Sequence, residues 1–148
     1  LNDVSDRVRV LPQAVGAESD ETLLLHESST NSGNHAIGST GISIPSTRLD
    51  DVEDPRDDAL LWMDIEGYEG HALAGATDLL AAGIPVVCEY NFRYLTQSDG
   101  MNLLRQALTG RRLYDLKLGA PSKDVTLSEL IMTYENSHDF TDILAIPQ

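Results

Sequence analysis

The stretch of sequence that decides the fold is residues 60–90, LLWMDIEGYEGHALAGATDLLAAGIPVVCEY. The apolar run at 59–63 is typical of a strand buried on both faces of a parallel sheet. Apolar residues at helical spacing then predict a helix over 71–82 that stops at Gly83. The apolar run at 84–88 predicts a second strand that is buried on both faces. A strand, a helix and a strand within about 30 residues predict a βαβ unit and therefore an α/β fold.

The upstream region continues the pattern of short strands joined by loops. It predicts strands at 8–11 and 22–26, a further short strand at 42–44, and a loop rich in Ser, Thr, Asn and Gly over 28–41. The acidic segment DDVEDPRDD at 50–58 indicates a solvated helix start and loop.

The downstream region predicts one more helix and the closing strands. A loop over 91–100 leads into a helix at 99–108, whose leucines share one side. Residues 127–135 are a mixed segment between strands predicted at 112–116 and 140–146. Because no long helix is predicted between them, these two strands are expected to form an antiparallel hairpin at one edge of the sheet.

Charge and cysteine content exclude several classes of protein. The 148 residues carry 10 Lys+Arg against 24 Asp+Glu, a net charge of −14, which excludes a basic nucleic-acid surface. No apolar run approaches the roughly 18–20 residues that span a membrane. The single cysteine, Cys88, allows no internal disulfide, and residues 1–10 lack the apolar core of a signal peptide. We therefore expect one cytoplasmic domain without nucleic-acid or membrane partners.

Five side chains that can carry chemistry surround the ends of the two central strands. Asp64 and Glu89 each follow a strand of the βαβ unit, and Glu66, Glu69 and His71 come soon after Asp64. Ligands of open α/β sheets bind beyond the carboxyl ends of the strands, so these side chains are expected to meet at one rim. Carboxylates there can act as bases, bind a cation or hydrogen-bond hydroxyls. A carboxylate after a strand can equally cap the next helix.

The remaining chemically active residue types are expected to be structural or incidental. Cys88 and Trp62 stand within apolar strands and are predicted to lie in the core. His26, His35 and His138 have no partner at a functional spacing, although His35 lies in the long loop.

The central stretch resembles the most diagnostic segment of the FkbM-type methyltransferase family. That family has a strand ending in Asp-x-Glu-Gly-x-Glu, a helix with Leu-x-Gly-Ala and a Pro-led strand ending in Glu. The matching residues here are Asp64, Glu66, Gly67, Glu69, Leu73, Gly75, Ala76, Pro85 and Glu89. Weaker matches are the Ala-x-Gly turn at 14–16, the Asn-x-Gly loop at 31–33, the Thr-Leu-Asp-Asp segment at 47–51 and the closing strand at 142–147. The resemblance covers residues 1–95 well and the rest loosely.

The resemblance implies a class I methyltransferase with a Rossmann-like sheet and S-adenosylmethionine as its cofactor. The last of the family's seven strands is antiparallel. Residues 8–11, 60–63 and 84–88 would be its third, fourth and fifth strands. The implied reaction is O-methylation of a hydroxyl on a sugar, polyketide or other small molecule.

The resemblance also implies roles for particular residues, and it implies no metal ion at the site. The residues expected to act at the methyl-transfer centre, where a carboxylate would orient the hydroxyl and take its proton, are Asp64, Glu66 and Glu89. The residues expected to bind the acceptor are Asn31, Gly33, Glu69 and His71. The residues expected to approach the cofactor are Ala14 and Asp64.

Two parts of the family's cofactor motif have no counterpart in this sequence. They are the glycine-rich turn after the first strand and the acidic residue that ends the second strand. We therefore expect residues 1–148 to be a single partial domain, the carboxyl-terminal two-thirds of a methyltransferase, lacking its first two βα units. Alone, such a chain would be inactive, and its exposed sheet edge would favour self-association.

Two other functions stay open on the sequence. One is a non-catalytic remnant, or a module that binds a small molecule without the cofactor half-site. The other is a metal-dependent hydrolase, because Asp64, Glu66, Glu69 and His71 are all capable ligands of a cation.

Overall fold

The computed structural model describes residues 4, 6–29, 31, 33–56, 58–119 and 123–148. In these residues the strands form two sheets of four strands each. The first sheet contains β1 (Ala14–Val15), β2 (Thr22–His26), β3 (Ala36–Gly38) and β4 (Ile42–Thr47). Its strand order is β1-β4-β2-β3, with β1 parallel to β4 and the other neighbours antiparallel. The predicted strand at 22–26 is confirmed, and the strand predicted at 42–44 extends further, to Thr47.

The second sheet carries the predicted βαβ unit. Its strands are β5 (Leu61–Met63), β6 (Val86–Tyr90), β7 (Arg111–Asp115) and β8 (Thr141–Pro147). The order is β5-β6-β8-β7, with β5 parallel to β6. The last strand, β8, is antiparallel to both of its neighbours. The predicted antiparallel pair is therefore confirmed, but β8 lies inside the sheet and β7 forms the edge.

Five short helices complete this mixed α/β fold in the described residues. They are α1 (Glu69–Ala74), α2 (Thr77–Ala81), α3 (Phe92–Gln97), α4 (Met101–Ala107) and α5 (Leu127–Tyr134). Buried leucines of these helices pack on one face of the second sheet, where Cys88 is fully buried. The prediction that Cys88 belongs to the core is thus confirmed. Burial raises the pKa of its thiol, which leaves the sulfur unreactive.

The prediction of a strand at 8–11 is wrong. These residues form no strand, and the side chains of Val8 and Val10 are 55% and 80% exposed. Alternating β-branched residues matched a strand pattern, but no neighbouring strand pairs with them. The strand that does form nearby is β1, which pairs with β4 through Ala14 and Val15.

The single helix predicted over 71–82 is two helices, because a distant segment passes between them. A Cβ atom on Gly75, which follows α1, would lie 2.1 Å from the backbone oxygen of Gly16. The second helix, α2, is capped from outside, since the carboxylate of Asp50 accepts the backbone N–H groups of Asp78 and Leu79 at 3.0 and 3.2 Å. Burial opposes ionisation of Asp50, but these donors prevail and lower its pKa.

The second central strand lies two residues later than predicted. It spans Val86–Tyr90, so Glu89 stands within the strand and not after it. The expectation that Trp62 lies in the core is wrong, because its side chain is 71% exposed. Trp62 projects from the face of β5 opposite to that of Leu61 and Met63, which pack on the core side.

Three segments predicted without regular structure contain elements. The loop 28–41 contains β3, and the loop 91–100 contains α3. The mixed segment 127–135 contains α5, which begins with a capping box between Thr126 and Glu129. Because α5 stands between β7 and β8, these two strands form an antiparallel pair but not a hairpin.

The strand β5 ends the second sheet in the described part of the chain. Leu60, just before it, is 51% exposed. The described strands divide between two sheets, whereas the resemblance implied one sheet of seven strands. Self-association through the β5 edge stays a prediction.

Candidate functional site

The loop that follows β5 has an unusual backbone at the candidate site. Glu66 has a φ of +55° and Gly67 has a φ of +92°. A left-handed conformation is unfavourable for Glu, so the fold must impose it. Glycine is required at the second position, because a Cβ there would lie 2.5 Å from the Cβ of Tyr94. Strained residues of this kind concentrate at functional sites, so this loop is a candidate functional site.

Glu69 holds the loop in this conformation through hydrogen bonds to the loop backbone. Its side chain has no exposed surface, and its Oε1 accepts the backbone N–H groups of Ile65 at 3.0 Å and Gly67 at 3.4 Å. Its Oε2 has no hydrogen-bond partner in the described residues. Burial raises the pKa of Glu69 although these bonds oppose the shift. Glu69, predicted to bind the acceptor, therefore supports the loop and is not among the described residues that line the two cavities beside it.

Asp64 and Glu89 lie side by side, as the parallel pairing predicts. Met63 pairs with Cys88, so the next residues of the two strands are neighbours. Glu89 is 8% exposed and also faces Asp142 across the β6–β8 pair. Burial, first, and then the negative charges of Asp64 and nearby carboxylates raise the pKa of Glu89 to about 7. Its Oε2 is buried without a partner in the described chain.

The raised pKa of Glu89 predicts a pH-dependent gain in stability for Glu89→Gln. The folded protein binds this proton more tightly than the unfolded chain, so the associated stability is present below pH 4.5 and is lost as the pH rises through 7. The variant should raise the free energy of unfolding by about 2–3 kcal/mol at pH 8. At pH 4 it should change little.

Urea unfolding between pH 4 and pH 8 measures this difference. The exposed Glu27→Gln is the matched control, because it removes the same charge outside the acidic cluster. An equal effect of Glu89→Gln at both pH values would show that ionisation of Glu89 does not oppose folding.

Two cavities are lined by residues of this loop, and the larger of the two has a volume of about 670 Å³. Glu66, Tyr68, His71 and Tyr94 line it with polar and aromatic groups. The rings of Tyr68 and His71 stack, with centroids 4.2 Å apart and an interplanar angle of 11°. The Nε2 atom of His71 lies 2.8 Å from the carbonyl oxygen of Ser98. This cavity is therefore equipped to bind a polar molecule against an aromatic wall.

The smaller cavity, of about 330 Å³, is also lined by residues of this loop. Its polar lining includes His35 and Asp64, and Ala14 and Gly33 contribute to its wall. The other lining side chains are mostly aliphatic, namely Val15, Leu25, Ile37, Ile44 and Ile65. The Nδ1 atom of His35 accepts the backbone N–H of Ser28 at 3.0 Å, so the proton of a neutral His35 ring is on Nε2.

The two cavities share part of their walls. Ile37, Glu66 and Tyr68 line both. Burial and the charge of Asp64 raise the pKa of Glu66. Glu66 is thus within reach of a ligand in either cavity.

The predicted site residues divide into lining and supporting groups. The lining residues are Ala14, Gly33, Asp64, Glu66 and His71. Asn31, Glu69 and Glu89 are not among them. Asn31 is exposed, and its Oδ1 accepts the backbone N–H of Gly33 at 3.0 Å, so it shapes the loop.

The lining residues that sequence reasoning missed include His35, Tyr68 and Tyr94. Tyr68 lies inside the central motif, next to Glu69, and its position was the available signal. Tyr94 lies in α3, whose start is marked by Asn91, because the Asn91 side chain accepts the backbone N–H of Tyr94 at 3.3 Å.

The geometry favours neither a metal centre nor a membrane span in the described residues. No three side chains of His, Cys, Asp or Glu are arranged there to hold a metal ion, so the metal-dependent hydrolase gains no support. Within the same residues, none of the helices has the length and apolar character needed to cross a membrane.

Comparison with known proteins gives one match. A family model described as Methyltransferase FkbM domain matches residues 1–140. No curated protein and no solved structure matches the chain. The matched range contains every lining residue of both cavities.

Proposed function

The chain belongs to the FkbM methyltransferase family, and we propose that it transfers a methyl group from S-adenosylmethionine to a hydroxyl oxygen of a small molecule. The observation that carries the proposal is the pair of cavities that share the wall at Glu66. Transfer between two bound molecules needs two adjacent sites, and two cavities with lining residues in common support such an arrangement. Both volumes are within the range of about 300–1,000 Å³ of small-molecule pockets.

The smaller cavity suits the cofactor in the chemistry of its lining. Aliphatic side chains such as Val15 and Ile44 offer an apolar surface for an adenine ring, with Ala14 beside them. The carboxylates of Asp64 and Glu66 offer acceptors for ribose hydroxyls and negative charge for a sulfonium cation. When bound, S-adenosylmethionine supplies an electrophilic methyl group.

The larger cavity is the proposed acceptor site. Glu66, in the shared wall, accepts a hydrogen bond from the acceptor molecule and so orients its reacting oxygen toward the smaller cavity. Asp64 lies at the transfer point, where its negative charge favours the cationic reacting group. Glu69 and Glu89 act indirectly, since Glu69 fixes the loop and Glu89 adds charge behind Asp64. Holding the reacting groups together in this way is expected to supply much of the rate enhancement.

Filling the smaller cavity tests this assignment. Ala14→Leu should weaken S-adenosylmethionine binding at least about tenfold, because the added side chain occupies space that the cofactor needs. The matched control is Ala36→Leu, the same change in the wall of the larger cavity, which should leave cofactor affinity unchanged. Isothermal titration calorimetry on the product of the complete coding sequence measures both.

The outcomes separate the proposed enzyme from its main alternative. An unaltered protein that binds no S-adenosylmethionine would favour a module that binds a small molecule without methyl transfer. Equal weakening by both variants would contradict the assignment of the two cavities.

A further inference from the structure

The imidazole of His71 is held with one nitrogen free to accept a proton. A carbonyl oxygen can only accept hydrogen bonds, so the contact at 2.8 Å means that Nε2 carries a proton and donates it to Ser98. A neutral ring then has its lone pair on Nδ1. Nδ1 makes no hydrogen bond within the described residues, and His71 is one of the residues that line the larger cavity.

Several independent contacts keep the ring in this orientation. Tyr68 stacks on one face of it. The Ser98 backbone is itself anchored, because its Oγ donates to the carbonyl of Gly67 at 2.6 Å and accepts the N–H of Gly100 at 3.2 Å. The ring therefore has a defined position before any ligand binds, as a catalytic base requires.

The larger cavity is lined by acidic and neutral side chains beside His71. The titratable side chains that face the larger cavity are Glu66 from the β5 loop, Tyr68 beside α1 and Tyr94 from α3. Neither Lys nor Arg is among the described residues that line either cavity.

We propose that Nδ1 of His71 is the atom that receives the proton of the acceptor hydroxyl; this inference rests on the proposed function. The acceptor oxygen gives its proton to Nδ1 and takes the methyl carbon as the carbon–sulfur bond of the cofactor breaks. The products are a methyl ether, a neutral thioether and an imidazolium ion, which returns its proton to water. In this division of work His71 takes the single proton of the reacting hydroxyl, and Glu66 orients the acceptor by accepting a hydrogen bond from a second donor group on it.

The proposal also defines the acceptor class. The substrate is an alcohol or phenol without a phosphate or carboxylate near the reacting hydroxyl, because the cavity offers no cation to pair with an anion. The reaction needs no further co-reactant beyond the methyl donor.

Two substitutions separate a proton acceptor from a structural histidine. In His71→Gln the side-chain amide nitrogen can still donate to Ser98, but no basic nitrogen replaces Nδ1. In His71→Asn the amide nitrogen replaces Nδ1 in position and the bond to Ser98 is lost. We expect the Gln variant to lose about 10²–10⁴-fold in kcat, the size typical of general base catalysis. Its affinity for S-adenosylmethionine should not change.

A merely structural role predicts a different result, with the Gln variant near the unaltered protein and only the Asn variant impaired, whereas a proton acceptor at Nδ1 predicts that both variants lose activity. Glu66→Gln, which keeps an oxygen acceptor, should lose only about tenfold in kcat. Exposed His26→Gln is the control for loss of a histidine as such. Tritium-labelled S-adenosylmethionine, with glycerol, methyl β-glucoside and phenol as hydroxyl probes, measures transfer by the product of the complete coding sequence.

A second measurement needs no acceptor at all. Nitrogen-15 NMR of the imidazole rings reports which nitrogen of His71 is protonated in the neutral ring, and Nε2 is expected. A proton on Nδ1 would overturn the proposal whether or not a probe is methylated. An unaltered protein that fails to bind S-adenosylmethionine would instead count against the proposed function, so the two failures are distinguishable.

Discussion

Replacing Gly70 with alanine is expected to lower the free energy of unfolding by about 3 kcal/mol or more, at the upper end of overpacking effects. The added Cβ would lie 2.0 Å from the backbone oxygen of Gly100 and 2.8 Å from its carbonyl carbon. Both are backbone atoms at the start of α4, so they cannot rotate away as a side-chain end would. The helices α1 and α4 would have to separate, which would open the core between them.

Urea unfolding of the product of the complete coding sequence measures this loss. Gly38→Ala is the matched control, because the nearest atom to its new Cβ is 3.9 Å away, on His26. It should change the free energy of unfolding by less than about 1 kcal/mol. A Gly70→Ala protein as stable as the control would show that the close contact of α1 with Gly100 is absent.

Replacing Asp64 with asparagine is expected to reduce kcat for methyl transfer about 10²–10³-fold, as the loss of one electrostatic contact at a reacting centre commonly does. The change removes one negative charge from the wall of the smaller cavity but keeps the size of the side chain. The affinity for S-adenosylmethionine should fall far less than kcat, because asparagine keeps an oxygen acceptor for the ribose, Glu66 keeps its charge and the aliphatic lining stays in place.

The matched control for Asp64→Asn is Asp142→Asn. Asp142 lies across β6 at the same end of the sheet and is paired with Glu89, but it is not among the lining residues of either cavity. Turnover by the control should stay near that of the unaltered protein. If Asp64→Asn retained full turnover as well, Asp64 would not lie at the transfer point.

The central α/β unit could be predicted from sequence because its signals are local. Two apolar runs separated by a helical stripe require buried strands, and parallel strands in one sheet bring their carboxyl ends together. The neighbouring positions of Asp64 and Glu89 follow from this pairing alone, and the structure has them. An error of two residues in the end of β6 did not disturb it, because strand register depends on pairing and not on where a strand stops.

The errors occurred where distant segments decide the outcome. The break between α1 and α2 depends on the backbone at Gly16 and the carboxylate of Asp50. Both belong to segments that are distant from these helices in the sequence. No pattern within 71–82 records that approach. The strand predicted at 8–11 failed for the opposite reason, since the local pattern was present but no partner strand accompanied it.

The sequence by itself determined the family, the βαβ unit and the gathering of carboxylates at one rim, because these follow from motifs and periodicities that are read within a few tens of residues. Only the tertiary structure decided that Glu69 supports the loop while Glu66 lines it, that burial raises the pKa of Glu89, and that His71 donates from Nε2 to Ser98. Burial, protonation and ring orientation depend on which atoms surround a group in space. Those atoms come from other segments of the chain; the Ser98 carbonyl, for example, is 27 residues from His71 in the sequence.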